Sequence, residues 1–199
     1  MDTPMIHTEI DSQGVAHICL DRPAQRNAFN PEMIEQIIDA LARFEDEPCV
    51  RALALSARGE HFCAGADIGW MRRAATFTKA QNLADARRLA HLMSQLDRFS
   101  KPTIAQVQGS VFGGAIGLIA CCDMVVASCD TRFCLSEVKL GLIPAVISPY
   151  LARVVGMRAL RRYALSAEVI DTPAALQLGL VHHIEALPST TAHQWLVKV

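Results

Sequence analysis

Three short stretches hold the residues whose types and spacing could do chemistry. In HFCAGAD, His61 to Asp67, the small residues Ala64, Gly65 and Ala66 let a ligand come close to the backbone. A helix starting just after them would leave amide N–H groups without partners. In GSVFGGA, Gly109 to Ala115, the glycine pair leads into a buried helix whose first-turn N–H groups carry partial positive charge. Two such loops facing each other would make an oxyanion site from backbone alone. Tight packing also selects small residues, and each loop taken singly fits that account as well.

The third stretch, FCLSEVKLGLIP, sets Glu137 among Phe133, Cys134 and Leu135 before it and Val138, Leu140, Leu142 and Ile143 after it. Desolvation in such surroundings raises a carboxyl pKa, which suits acid–base work near neutral pH. The alternative is a solvated glutamate, or one paired with Lys139 or an arginine. Cys63 lies beside alanine and glycine but has no partner base in its loop, which argues against a nucleophile. Arg22 and Arg26, in DRPAQRN, are loop arginines that could meet phosphate or simply face water. The seven histidines show no metal-ligand spacing, so no metal site is expected.

Strands alternating with helices must position these loops. VAHICL (Val15 to Leu20) reads as a strand after the turn SQG, so a hairpin is expected at the start. Asn30 as N-cap and Pro31 at the first helical position open an amphipathic helix through Phe44. VRALALSA, TIAQVQ and DMVVAS read as strands, and VHHIE as a last short one. Asp67 can cap whatever helix follows it. Phe77 to Phe99 reads as one long helix with apolar positions at Leu83, Leu89, Leu92, Met93 and Leu96. Further helices are expected over Ser148–Val155, Met157–Leu165 and Thr172–Leu178. Leu187 to Val199 shows no apolar period and reads as a loosely attached tail. The fold class is α/β.

The 199 residues suit a single domain, here 1–186, followed by the short tail 187–199. Lysine and arginine total 19 against 20 acids, a net charge of 19 − 20 = −1, which offers nothing to nucleic acid or an anionic membrane. The seven cysteines show no CxxC spacing and read as free thiols in a reducing compartment. The start has neither a basic region nor an apolar stretch of signal-peptide type. No apolar run is long enough to span a bilayer. A cytoplasmic protein is expected.

Taken together, DRPAQRNAFN, HFCAGADI, QGSVFGGAIGLIACCDMVVAS and FCLSEVKLGLIPAVISPY resemble the crotonase, or enoyl-CoA hydratase/isomerase, superfamily from about Ile18 to about His183. The combination is most similar to its bacterial 3-methylglutaconyl-CoA and isohexenylglutaconyl-CoA hydratases. The resemblance implies a spiral of ββα units, assembled as trimers or dimers of trimers. It implies an acyl-CoA thioester as partner, with no cofactor beyond the coenzyme A carried by the substrate. Its enolate would lie between the amides of Ala66 and Gly114. The coenzyme would be held by the loop Arg26 to Ala28 and the loop around Ala64, Asp67 and Ile68.

Glu137 matches the second of two glutamates that hydratases of this superfamily use, and Gly117 stands where the first would be. Glycine there would leave room, and less negative charge, for a branched, carboxylated acyl chain. Ala145 follows Ile143-Pro144 where many relatives have glycine, and its amide could still orient water. The implied reaction is hydration with one glutamate as acid and base. Double-bond isomerisation is the first alternative and a non-catalytic acyl-CoA-binding subunit the second. Relatives normally continue with further helices beyond VHHIE, so a short or truncated form is expected here.

Overall fold

The hairpin expected at the start forms from β1 (Ile6–Ile10) and β2 (Val15–Leu20), paired antiparallel. They open a computed structural model that describes residues 4–198. Asn30 then caps α1 (Pro31–Asp46), its Oδ1 accepting from the Met33 N–H at 2.9 Å, and the apolar side of α1 is buried from Met33 to Phe44. β3 (Ala52–Ala57) lies parallel to β2, and β4 (Thr103–Val107) parallel to β3. Between those two strands run α2 (Ile68–Ala74) and α3 (Lys79–Asp97).

After β4 the chain makes two successive ββα units, in keeping with the spiral that the resemblance implies. β5 (Ser110–Phe112) leaves for a second sheet and feeds α4 (Gly114–Ala120). β6 (Met124–Ser128) returns beside β4, and β7 (Arg132–Cys134) pairs parallel with β5. A short 3-10 turn, Glu137–Leu140, then leads to α5 (Ser148–Ser166), broken at Gly156 as expected. β8 (Ile170–Asp171), α6 (Thr172–Gln177) and β9 (His183–Glu185) follow. The larger sheet runs β1-β2-β3-β4-β6-β9 and the smaller β5-β7-β8.

Alternation along β3 divides its side chains between two cores. Leu53 and Leu55 join the larger core with α1, α4 and α5, whereas Ala52 and Ala54 face a smaller one. That smaller core corrects the expected loose tail. Pro188–Leu196 fold into α7, whose Ala192 and Leu196 are buried against Val15, Ala52, Ala54, Ile104 and Val126. Two corrections concern α3. It starts at Lys79, because Thr78 and Gln81 form a capping box, and Leu83 is 47% exposed, since the first turns of α3 lie clear of the core. Among the described residues no helix is long and apolar enough to cross a membrane.

Candidate active site

The first small-residue loop is gripped through its backbone. The Phe29 N–H donates to Gly65 O at 2.8 Å and the Asp67 N–H donates to Phe29 O at 2.7 Å, a parallel bridge centred on Ala66. Both bonds of Phe29 go to the neighbours of Ala66, so Ala66's own N–H stays outside the ladder and faces the other way. Cys63 bridges Val111 through Ser110 O and the Phe112 N–H, each at 3.0 Å. The first loop is therefore laid directly along β5, the strand that ends in the second loop.

Asn27 anchors this arrangement from behind. It is wholly buried, in a left-handed conformation with φ 53°. Its Nδ2 donates to Arg58 O and His61 O, both at 2.8 Å, and its Oδ1 accepts from the Arg22 N–H at 2.7 Å. Arg22 in turn donates to Ala28 O (2.6 Å) and to Asp67 Oδ2 (3.2 Å). Asp67 caps α2 as expected, its Oδ1 accepting from the Trp70 N–H at 3.1 Å. Burial alone would raise the Asp67 pKa, but the Trp70 amide and the Arg22 guanidinium hold it below the usual carboxylate value.

The second loop turns at Gly113, whose φ of 55° and ψ of −126° suit glycine alone. Its N–H donates to Cys134 O at 2.9 Å, and Gly114 then begins α4 with an N–H that has no acceptor inside the helix. Glu137 packs against this turn: a Cβ placed on Gly113 would lie 3.4 Å from Glu137 Oε1. The glutamate is half-buried, and Oε2 is sealed from solvent with no hydrogen-bond partner among the described residues. Burial pushes the Glu137 pKa above its ordinary 4.5, with its own backbone N–H acting in the opposite direction. Among the described residues it forms no ion pair, so the apolar reading of its surroundings prevails over pairing with Lys139.

Ala66, Gly114 and Glu137 line one cavity of about 310 Å³, with Trp70 and Met71 on one side and Leu140 and Leu142 on another. Glu137 is the sole ionisable residue in that lining. A second cleft, of about 510 Å³, adjoins it through Ala64 and Ala66, and there the structure gathers Arg26, Ala28, Asp67 and Ile68. Among these, the Asp67 carboxylate is committed to Arg22 and the α2 cap, while Arg26 is exposed and Ile68 is 69% exposed.

Two expected site residues lie elsewhere. Gly117 is wholly inside α4, and a Cβ there would overlap Ile147 Cγ2 and lie 3.2 Å from Met93 Cε. The room attributed to Gly117 is thus filled by Ile147, because the segment entering α5 packs directly on the α4 backbone. Ala145 lies in a separate groove beside α5, and its N–H is taken up by Ile143 O at 2.8 Å, so it is not free for water. Arg22 is likewise engaged with Asp67 and Ala28 rather than open to phosphate. The Cys63 thiol is buried, and its pKa is pushed up to about 12 by desolvation, which leaves it inert.

Sequence reasoning missed Gly113, Asn27 and Trp70. The glycine pair did signal the turn, but nothing in the sequence said which carboxylate would rest on it. Asn27 follows Arg26 without an apolar pattern to flag its burial. Trp70 stands three residues after the Asp67 cap, a spacing that places it on a helix without saying which wall it faces.

Residues 11–197 match the protein family described as enoyl-CoA hydratase/isomerase. A Thermus thermophilus protein assigned as an enoyl-CoA hydratase is 34% identical over 176 residues, covering 88% of this chain and 70% of its own length. The enoyl-CoA hydratase AKT6-1 of Alternaria alternata is 31% identical over 190 residues, covering 90% of this chain but only 62% of its own length. The chain therefore spans about two thirds of these relatives. The crystal structure of an enoyl-CoA hydratase from Shewanella pealeana superposes with a TM-score of 0.96 at 48% identity, covering 98% of this chain and 73% of that one.

Proposed function

The chain belongs to the enoyl-CoA hydratase/isomerase family, and we propose that it adds water across the α,β double bond of an enoyl-CoA thioester. The observation that carries this reading is the Glu137 carboxyl resting on Gly113, in the cavity that Ala66 and Gly114 also line. The thioester carbonyl would accept from the Ala66 and Gly114 amides, each worth roughly 3–4 kcal/mol as charge develops on oxygen. The Glu137 carboxylate takes a proton from water as the water oxygen bonds to the substrate β-carbon. The π electrons move to the α-carbon and the thioester, giving an enolate. Protonated Glu137 then delivers that proton to the α-carbon, and the carboxylate is restored.

The outer cleft, with Arg26 at its rim, suits the coenzyme A portion, and the reaction as proposed calls on no cofactor beyond that coenzyme. Of the branched, carboxylated acyl group suggested by the resemblance, the cavity offers nothing to the charge, and the room expected at Gly117 is taken by Ile147. The cavity wall holds no lysine, arginine or histidine to meet a carboxylate. A trimer or dimer of trimers is proposed with the activity, to be measured by light scattering.

Glu137→Gln is expected to lower turnover by roughly 10²–10⁴ with thioester binding largely kept. Near-native hydration by that variant would overturn the assignment. The sole ionisable residue in the lining also favours a second reading, an isomerase moving a proton from the α- to the γ-carbon. Reaction in ¹⁸O-labelled water separates the two, since only hydration puts the label into a 3-hydroxyacyl product.

A further inference from the structure

We propose that Trp70 sets the length of the acyl chain, that Asp85 holds it in that role, and that the chain it gauges is uncharged. The inference rests on the reading of the cavity as the acyl site. Once the thioester carbonyl occupies the Ala66 and Gly114 amides and the reacting carbons face Glu137, little lining is left for the rest of the acyl chain. Besides the small residues Ala64, Gly65 and Ser136, what remains is Trp70, Met71 and Ala74 from α2, together with Leu140 and Leu142. Apart from Glu137 these walls carry no charge, so a carboxylate at the far end of the chain would stay unpaired.

Trp70 is the largest side chain in that remaining wall, the only aromatic one, and the one fixed at both ends. Its backbone N–H donates to Asp67 Oδ1 at 3.1 Å, and its indole Nε1 donates to Asp85 Oδ2 on α3 at 3.0 Å. Asp67 is itself anchored by Arg22. Met71, beside it, is unbranched and can repack around a longer chain. An indole with its N–H fixed cannot turn aside without giving up that bond. Trp70 is therefore a specificity-determining residue, and Asp85 is a positioning residue that acts through it.

The test uses the full chain with two substrate series of increasing length. Straight-chain trans-2-enoyl-CoA thioesters are assayed for turnover, and the matching saturated acyl-CoA thioesters are titrated by calorimetry. In the unaltered protein kcat/KM should fall by roughly 10–200-fold for each methylene beyond the optimum. Trp70→Ala should move the optimum to longer chains in both series, and Asp85→Ala should broaden it in the same direction. Asp85→Asn, whose amide oxygen can accept the same indole N–H, should restore the original profile.

An unchanged length optimum in Trp70→Ala overturns the proposal. If that variant does not fold, the two Asp85 variants decide, and identical profiles for Asp85→Ala and the unaltered protein overturn it. Absent turnover with length-dependent binding would remove the hydratase reading and leave the gauge standing. Absent binding of every thioester would remove both.

Discussion

At Glu137 two opposing demands meet in one side chain. Its Oε2 is shut away from water without a partner, and burial raises its pKa above 4.5. The folded protein therefore keeps this proton to a higher pH than the unfolded chain does. Folding takes up a proton between the two values, so stability falls as pH rises through that window and stays lower above it. Glu137→Gln removes this titration. Its stability relative to the unaltered protein should be greater at pH 7 than below pH 4.5, as measured by urea unfolding at both values. Hydration needs the ionised form, so kcat/KM should decline as pH drops through the raised pKa, with an apparent value above 4.5. The Glu137 setting was legible in FCLSEV, because flanking apolar residues foretell desolvation. The unpaired Oε2 was not, because it depends on what the turn at Gly113 brings against it.

The scale of elements explains why the two glycines around the start of α4 differ. Gly113 is required by its backbone angles, and Gly117 by the neighbour that lies on it. Gly117→Ala should destabilise the protein by roughly 1–3 kcal/mol, since the added methyl overlaps Ile147 in a packed core. Ile147→Ala placed in the same chain should recover part of that loss, a coupling readable by a double-mutant cycle in denaturant. A glutamate introduced at Gly117 alone would displace Ile147 before it could reach substrate. The helices α1 and α4 were legible from caps and apolar runs. The strands β5, β7 and β8 were not, being three, three and two residues long and defined by pairing with one another.

For the whole molecule, α7 matters most among the segments misread from sequence. It closes the face of the large sheet opposite α1, where Ala52, Ala54, Ile104 and Val126 are otherwise uncovered. Leu196→Ala should cost roughly 2–5 kcal/mol by leaving a cavity in that smaller core. For a domain of this size each kcal/mol lowers Tm by about 2–4 °C, which thermal unfolding will register. A shift below 1 °C would mean that α7 contributes little to the fold.

The sequence by itself determined the layered α/β class, the main helices and the inner strands, because periodicity, caps and turn residues act over a few neighbours. It also determined which three loops could do chemistry, since small residues and an isolated glutamate keep their character in any fold. Only the tertiary structure decided how those loops meet. Phe29 bonds to the neighbours of Ala66 and leaves that amide free, and Gly113 receives the carboxyl of Glu137. Ile147 fills the place above Gly117, and Ala145 turns its amide to Ile143. Each of these depends on segments far apart in the chain coming within a few ångströms, and no local pattern of residues encodes that approach.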